Sequence, residues 1–284
     1  MKRPFLLTAL AVLLVATSCA GSTTTSTKIN IPERQNWDNR IPLFGDVESV
    51  TVYGYNLIEK DGETVREKGD GQKEVYKFNQ KGDVDEFFVY ENDGSLTVRY
   101  TYKYDSQGNI TETYYGNGSK TLYKYDSQGN KIEEVNYDGD GSQSWKALYE
   151  YDSQGNIIKK ESYFTYSRSM RTYEYDSQGN KIEEARYDGD GSLDSRRTYK
   201  YDSQGNMIEE ARYYGDGSLR MKTTFKRNSQ GQFVEAIVYA PNGLIMGKSI
   251  CKLDSQGNMV EVFHYEGDNM KPTCVTVREV VYRK

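Results

Sequence analysis

The sequence has few of the residues that carry most protein chemistry: one histidine, three cysteines and two tryptophans in 284 residues. The single histidine, His264, lies in a strand-like segment between Phe263 and Tyr265, which indicates a structural role. A hydrolase of the Ser-His-Asp type would have no other base, and the Glu pairs repeat from unit to unit as in a solvated ladder rather than a glycan hydrolase cleft. We therefore expect a protein that is not an enzyme, with no catalytic residues, metal or cofactor.

Long apolar runs are also missing after the N-terminal segment. Mean hydropathy is −0.83, and 26 of the residues counted as hydrophobic are Tyr, which buries its ring while its hydroxyl stays near water. This composition predicts half-buried sheet surfaces rather than one large apolar core. The net charge is −5 and the basic residues are mostly scattered singly, which argues against a nucleic-acid partner.

The N-terminus predicts export. Lys2 and Arg3 precede an apolar stretch that is too short to span a membrane, for which about 20 residues are needed, so residues 1–18 form a signal peptide. The sequence Ala16-Thr17-Ser18-Cys19 resembles a bacterial lipobox, which implies that Cys19 is acylated and that residues 19–28 are a polar tether. Because Ala20 replaces the Asp that retains such proteins at the inner membrane of enteric bacteria, we expect an outer-membrane lipoprotein; the leaflet stays open.

A hexapeptide repeat dominates the rest of the chain. The motif Tyr-Asp-Ser-Gln-Gly-Asn occurs at 104–109, 125–130, 151–156, 175–180 and 201–206, and degenerate copies begin at Phe78, Arg227 and Leu253. Eight copies at intervals of 21 to 26 residues define one array over residues 74–284. Residues 29–73, with Trp37, are interpreted as an irregular N-terminal cap, and the array ends in an apolar C-terminal cap.

Each repeat unit carries two turn signals. Asp-Ser-Gln-Gly-Asn is the first, and a Gly-rich stretch such as Asp188-Gly189-Asp190-Gly191-Ser192 is the second. Two turns in about 25 residues leave room for two short strands and no helix, and such short connections force antiparallel neighbours. The fold predicted is all-β: an elongated or loosely coiled antiparallel meander of about eight β-hairpin repeats, with a single-layer sheet.

Two other features leave alternatives open. The sequence Asp138-Gly139-Asp140-Gly141 is similar to the start of a calcium loop, but no Glu follows at the twelfth position, so a plain turn is favoured over a calcium site. Cys251 and Cys274 lie on strands that flank a third, about 9–10 Å apart at the usual strand spacing, which favours free thiols over a disulfide.

The units resemble the YD repeats of RHS proteins and related bacterial envelope lipoproteins, since Tyr-x-Tyr-Asp-x-x-Gly-Asn is followed by Asp-Gly-Ser in about three quarters of the chain. The resemblance implies a hairpin array whose sheet coils on itself; long members of that family wrap a toxin. This chain has only eight units and no toxin after the array. A weaker similarity is to MORN-type hairpin repeats, which form open single-layer sheets.

Aromatic residues are the candidate binding residues. Tyr149 and Tyr173 belong to columns that alternation places on one face of the sheet, with Val135, Ala185 and Ala211 between them, and we expect this face to be partly exposed. In one unit a segment with Tyr163, Phe164 and Tyr166 replaces the Gly-rich turn. This segment is either a drifted turn or a contact site for sugars or proteins.

The expected function is a non-catalytic binding or scaffold role at the cell envelope, through a Tyr-rich sheet surface with a protein or glycan ligand. The alternative, inferred only from the YD resemblance, is a component of a toxin-delivery or immunity system. The sequence predicts a membrane partner through the acyl group on Cys19 and leaves the oligomeric state open.

The anchor is testable directly. We expect the protein to partition into the detergent phase of a cell extract and Cys19→Ala to move it to the aqueous phase, because acylation is the only membrane attachment that the sequence predicts. Phase separation followed by immunoblotting measures this. A Cys19→Ala protein that still fractionates with membranes would disprove the anchor.

Overall fold

The structure, a computed structural model, describes residues 43, 45–69, 71–269 and 271–283. Every regular element in these ranges is a β-strand, and none of them is a helix long and apolar enough to cross a membrane. The predicted signal peptide, Cys19, the tether and Trp37 lie outside the described residues. The strands are β1 Val47–Lys60, β2 Glu63–Lys68, β3 Lys73–Phe78, β4 Val84–Tyr90, β5 Leu96–Tyr104, β6 Ile110–Tyr115, β7 Lys120–Tyr125, β8 Lys131–Tyr137, β9 Gln143–Tyr151, β10 Ile157–Phe164, β11 Arg168–Tyr175, β12 Lys181–Tyr187, β13 Leu193–Tyr201, β14 Met207–Tyr214, β15 Leu219–Arg227, β16 Phe233–Tyr239, β17 Ile245–Leu253, β18 Met259–Glu266 and β19 Cys274–Tyr282.

The repeated hexapeptide forms a turn that its own side chains close. In the unit at 151–156, one carboxylate oxygen of Asp152 accepts the backbone N–H groups of Gln154 and Asn156, at 2.9 and 2.8 Å. Gly155 has φ +84°, a left-handed conformation that glycine adopts without strain. The Asn156 side-chain amide donates to the second oxygen of Asp152 at 2.9 Å. Asp and Asn therefore stabilise the turn itself, and Asn takes the place of Asp in the copies at Asn79 and Asn228.

The two turn types lie at opposite ends of the sheet, because the strands are antiparallel and the turns alternate along the chain. Turns of the Asp-Ser-Gln-Gly-Asn type follow the odd-numbered strands from β3 to β17, and they form the end that we call the Asx rim. The other turns follow the even-numbered strands from β4 to β18 and form the Gly rim. A ligand that enters the Gly rim therefore meets a different set of loops from one that enters the Asx rim.

The sheet closes on itself through β1. One edge of β1 pairs with β19, and its other edge pairs with β3 at Ser49–Val52, so that eighteen strands form a ring. β2 pairs with the later part of β1, from Tyr55 to Lys60, outside the ring. Arg283 also joins the two ends of the chain, since its backbone N–H donates to the carbonyl of Asp46 at 2.9 Å and its guanidinium to the carbonyl of Asn79 at 2.7 Å.

The all-β class is confirmed, but the elongated or loosely coiled single-layer meander is wrong. The physical reason is that a flat meander leaves the backbone donors and acceptors of its first and last strands unpaired, whereas here these two edges pair with each other. The predicted N-terminal cap lies partly in the described residues. Residues 47–60 of it are the regular strand that closes the barrel.

The tyrosine that precedes each Asp ties neighbouring strands together near the Asx rim. The hydroxyl of Tyr151 in β9 donates to the carbonyl of Lys131 in β8 at 2.7 Å. Equivalent hydroxyl–carbonyl bonds of 2.6–2.8 Å are made by Tyr104, Tyr125, Tyr175 and Tyr201. Each of these bonds satisfies the carbonyl of the first residue of the preceding strand, where the regular ladder begins.

A bulge follows each of these turns and decides which residues face inward. Lys200 pairs with Glu209 but Tyr201 pairs with Met207, so Ile208 is the extra residue on β14. Beyond the bulge, Tyr199 lies opposite Glu210, and both are buried, at 4% and 2% exposure. Residues of this buried series point into the barrel. The corresponding bulges place Ile132, Ile158, Ile182 and Ile208 at the surface.

The inner face has two apolar sectors and one polar sector. One apolar cluster joins β1, β3 and β4 through residues such as Val50, Tyr76 and Phe87, and a second lies on β16–β18 around Ala236 and Val262. The polar sector, on strands β7–β14, mixes buried tyrosines with buried charged side chains such as Glu134, Lys160 and Glu210. The inner wall is therefore different on its two sides.

The outer face carries ion pairs in which a Glu lies between two cations. Glu133 contacts Lys124 at 2.6 Å and Lys146 at 2.5 Å, and Glu86 contacts Lys77 at 3.2 Å and Arg99 at 2.9 Å. Such exposed pairs add little stability, about 0–1 kcal/mol each. They do make the outer face well suited to water.

Barrel closure can be tested by cross-linking. We expect Thr51→Cys/Glu279→Cys or Val50→Cys/Val280→Cys, in a background where Cys251 and Cys274 are Ser, to form an intramolecular disulfide on mild oxidation. The two residues of each pair are direct partners on β1 and β19. Cα–Cα distances alternate between wider and closer in successive antiparallel pairs, so one of the two pairs has the distance that suits a disulfide better. Mass spectrometry of the digested monomer measures the bond.

The matched control is Thr51→Cys/Thr198→Cys, since Thr198 lies on β13, on the far side of the ring. Equal cross-linking in the control, or none in both β1–β19 pairs, would contradict closure.

Candidate functional site on the inner wall

The polar sector is built from two rows of inward side chains on neighbouring strands. The upper row, nearer the Gly rim, runs across six consecutive strands through direct cross-strand partners; it consists of Tyr149, Lys160, Arg171, Arg186, Ser195 and Tyr214. The lower row lies two residues further down on β11–β14 and consists of Tyr173, Glu184, Arg197 and Arg212. The rows therefore bring five cations onto one patch of the wall.

Each row contains two arginines that are direct partners on neighbouring strands. Arg171 is the cross-strand partner of Arg186, and Arg197 is the partner of Arg212. Arg171 and Arg186 are accessible to solvent, with 40% and 47% of their side chains exposed, whereas Lys160 is 10% exposed. The upper arginines thus form the accessible part of the patch.

Glu184 is shared between several of these cations. Its carboxylate lies 3.1 Å from Lys181 and 3.9 Å from Arg171. Burial alone would raise the pKa of Glu184, but Lys181, Arg197 and Arg171 outweigh burial and hold this pKa below its usual range. The carboxylate is therefore ionised at neutral pH and serves as a counter-charge rather than as an acid.

Glu134 and Glu210 are the other buried carboxylates of the sector, at 7% and 2% exposure. Glu134 contacts Lys131 closely and Lys160 at 4.0 Å, and these two cations lower its pKa although burial opposes this shift. Glu210 pairs with Arg212. Each buried carboxylate thus has at least one cation beside it.

The predicted residues Tyr149 and Tyr173 both lie on this wall. Tyr149 is buried at 9% exposure, and the ammonium groups of Lys131 and Lys160 lie 4.9 and 5.0 Å from its ring centre. Tyr173 is half-buried, with Lys181 5.4 Å from its ring centre. The expected partial exposure of the Tyr face is therefore wrong for Tyr149, because the closed ring turns this face inward.

The residues between the tyrosines also differ from the expectation. Glu134, Glu184 and Glu210 lie opposite the tyrosines of neighbouring strands, whereas Val135, Ala185 and Ala211 point outward. The bulge in each returning strand removes one residue from the alternation, and a shift of one residue exchanges the two faces.

The three predicted aromatics of the unusual turn are separated by the structure. Phe164 is on the inner face opposite Trp145, at the Gly rim, and is 49% exposed. Tyr166, in the turn that follows, is 99% exposed. Tyr163 faces outward, and its hydroxyl donates to Glu161 at 2.7 Å. Tyr214, which the sequence did not single out, is 50% exposed at the same rim.

His264 lies on a different part of the wall. Its ring nitrogens are 3.1 Å from the hydroxyls of Ser249 and Thr276, and burial together with Arg278 lowers its pKa. The sequence did not predict the contact with Ser249. Cys251 and Cys274 are free thiols on β17 and β19, with β18 between them, and burial raises the pKa of Cys251 to about 12.

Among the described residues, no group of three or more His, Cys, Asp or Glu side chains could hold a metal ion. The arginine rows are the feature that sequence reasoning missed. One signal was present: Lys159-Lys160 and Arg196-Arg197 are adjacent basic pairs, and in a strand one member of such a pair must point to each face.

The fold and the wall define a closed antiparallel β-barrel with a charged inner sector. A family model with the description "Uncharacterised protein" matches residues 122–271, more than half of the chain, so the chain belongs to this family. No curated protein matches the sequence.

Solved structures show remote similarity. A porin-like protein from Bacteroides uniformis has 12% identity and a TM-score of 0.46, over 83% of this chain and 98% of that one. The TcdB2-TccC3 structure has 14% identity and a TM-score of 0.33, over 77% of this chain and 16% of that one. The Tc holotoxin pore of Photorhabdus luminescens has 13% identity and a TM-score of 0.29, over 75% and 15%. With TM-scores below 0.5, none of these similarities carries a conclusion about this chain.

The assignment to YD-repeat, RHS-like lipoproteins is therefore wrong, and so is the weaker similarity to MORN-type repeats. The family that matches is a different one, and the strands close into a ring instead of forming an open or loosely coiled array. The toxin-delivery or immunity alternative rested only on that resemblance and has no remaining support.

The burial of Tyr149 predicts a large effect on stability. We expect Tyr149→Ala to lower the free energy of unfolding by about 3–5 kcal/mol, the usual cost of removing a buried aromatic ring. Tyr163→Ala, on the outer face, is the matched control and should change it by about 0.5 kcal/mol or less. Urea denaturation followed by circular dichroism measures both, and similar midpoints for the two variants would contradict the inward placement.

Proposed function

We propose that the protein is a non-catalytic binding protein of the cell envelope, attached to the outer membrane through an acylated Cys19, which binds a glycan at the Gly rim of its barrel. The observation that supports this most directly is the group of exposed aromatic rings at that rim. Phe164, Tyr166 and Tyr214 are 49%, 99% and 50% exposed, beside the accessible upper row of the inner wall.

Exposed rings along one rim favour a binding role, because large apolar side chains are usually removed from water. Aromatic rings stack on the apolar faces of sugars, and Tyr adds a hydroxyl for hydrogen bonding. The wall beneath them supplies donors and acceptors such as Ser195 and Arg186. A recessed wall of this kind suits a narrow polar chain better than the flat surface of a folded protein, so a glycan is favoured over a protein ligand.

In this proposal, the acyl group on Cys19 attaches the protein to the membrane. The signal peptide and the lipobox-like sequence before Cys19 support export and acylation, and Ala20 supports the outer membrane as the destination. The ion-paired outer face of the barrel suits water, so the strands need no contact with lipid. The barrel would then be held near the membrane by the polar segment that follows Cys19.

The lowered pKa values of the buried carboxylates support a role without catalysis. A glycoside hydrolase needs a carboxylic acid with a raised pKa to protonate the leaving oxygen. Here the pKa values of Glu134 and Glu184 are lowered by the cations beside them, in spite of burial. His264 lies on β18, away from β9–β14 along the ring, and its ring nitrogens already contact hydroxyls.

The test uses an array of bacterial surface polysaccharides probed with the soluble Cys19→Ala chain. For polysaccharides that bind, we expect Phe164→Ala/Tyr166→Ala to lower the affinity about 10-fold or more, since two stacked rings each contribute about 0.5–1.5 kcal/mol beyond their buried area. Tyr163→Ala, one residue away on the outer face, is the matched control and should bind normally.

Equal thermal midpoints for the variants would show that the loss is local. The proposal fails if no polysaccharide binds, or if Tyr163→Ala weakens binding as much as the rim variant does.

A further inference from the structure

We infer that the two arginine rows form a binding site for oxyanions, and that the ligand of the barrel is an acidic glycan that carries carboxylate or sulfate groups. The oxyanion site is carried by Lys160, Arg171 and Arg186 in the upper row and by Arg197 and Arg212 in the lower row. The glycan part of the inference rests on the proposed function, whereas the oxyanion site stands on the geometry alone.

Cations are crowded together in these rows. Like charges that lie directly opposite each other on neighbouring strands repel, and both Arg171 with Arg186 and Arg197 with Arg212 are direct partners. Lys160 is in turn the partner of Arg171, so three cations are adjacent in one row. A row of adjacent cations on an accessible wall is typical of a binding site for anions.

The carboxylates nearby do not match these cations one for one. Glu184 is shared by Lys181, Arg171 and Arg197, and its closest oxygen to Arg171 is 3.9 Å from the guanidinium. Arg186 has Asp194 at 3.5 Å, a distance beyond a strong charge-assisted hydrogen bond. The accessible guanidiniums therefore keep donors for a stronger acceptor.

Arginine suits a carboxylate or sulfate group on the ligand, because its planar guanidinium donates two parallel hydrogen bonds to such a group. Arg171 and Arg186, at 40% and 47% side-chain exposure, are reachable from solvent. Tyr214, which is 50% exposed, ends the upper row on β14 and gives a sugar ring an aromatic neighbour on the same wall.

The spacing of the pairs indicates more than one acidic group. The pair of Arg171 and Arg186 is on β11 and β12, and the pair of Arg197 and Arg212 is on β13 and β14. Their centres are two strands apart, about 9–10 Å across the sheet. A glycan with acidic groups on successive or alternate sugars can reach both pairs, whereas a single small anion reaches one.

The experiment measures binding of three probes to the folded Cys19→Ala chain by calorimetry: oligogalacturonate, dextran sulfate and neutral dextran. The inner variant is Arg171→Gln/Arg197→Gln, which removes one arginine from each pair. The matched control is Arg99→Gln/Arg196→Gln, which removes the same charge from the outer face, with Arg196 next to Arg197 in the chain.

We expect the acidic probes to bind more tightly than dextran, by about 10-fold or more, and the inner variant to lose this preference while the control keeps its affinity within about twofold. The first two probes separate carboxylate from sulfate as the preferred group. Equal losses in the two variants, or equal binding of dextran, would overturn the acidic-glycan inference.

A second measurement is independent of any glycan. At constant ionic strength, sodium sulfate in place of sodium chloride should raise the thermal midpoint of the wild-type barrel by more than that of the inner variant, which shows only the general stabilisation by sulfate. The inner variant also removes two of the three cations that hold Glu184 ionised, so each protein is compared with its own midpoint without sulfate. A lower midpoint together with an unchanged response to sulfate would mean that the arginines are structural.

The two proposals fail separately. If dextran binds as well as the acidic probes and Phe164→Ala/Tyr166→Ala abolishes this binding, the glycan function stands and the oxyanion site is wrong. If no glycan binds but sulfate stabilises the wild-type barrel more than the inner variant, the oxyanion site stands and the glycan function is wrong.

Discussion

The pairing of β1 with strands on both of its edges is the constraint on which the rest of the structure depends. Hairpins alone give a ribbon with two open edges and two similar faces. Once Val50 lies opposite Val280 on one side and Tyr76 on the other, one face becomes concave and its side chains crowd together. The buried tyrosines, the buried carboxylates and the arginine rows all lie on this face. Closure thus creates an interior that no single hairpin has.

Much of the local structure could be predicted from the sequence, since the signals are local. The Asp-Ser-Gln-Gly-Asn motif specifies its own turn through bonds that span at most four residues, so strand positions and antiparallel order follow from it. Closure could not be predicted, because it depends on partners more than two hundred residues apart. Which side chains face inward could not be predicted either. A bulge such as that at Ile208 shifts the alternation of inward and outward residues by one position.

Part of the candidate site could likewise be predicted from the sequence, and part could not. Tyr149 and Tyr173 were predicted because the same tyrosine recurs in six of the eight units, and recurrence is visible in a sequence. The arginines occupy inward positions that hold other residues in other units; Arg197, for example, corresponds to Ala147 on β9. Only the closed barrel shows that these variable positions share one wall. The repeated residues therefore build the barrel, and the variable inward residues make its two sides different.

The hydroxyl bond from each repeated tyrosine reaches only one strand back, as from Tyr151 to Lys131, and each turn is closed by its own Asp and Asn. Every hairpin therefore brings with it the contacts that set its register. Adding or removing one hairpin changes the ring by two strands and leaves the other registers as they were. Since the diameter of a barrel grows with the number of its strands, gene duplication within such an array is a route to wider or narrower bores built from one kind of hairpin.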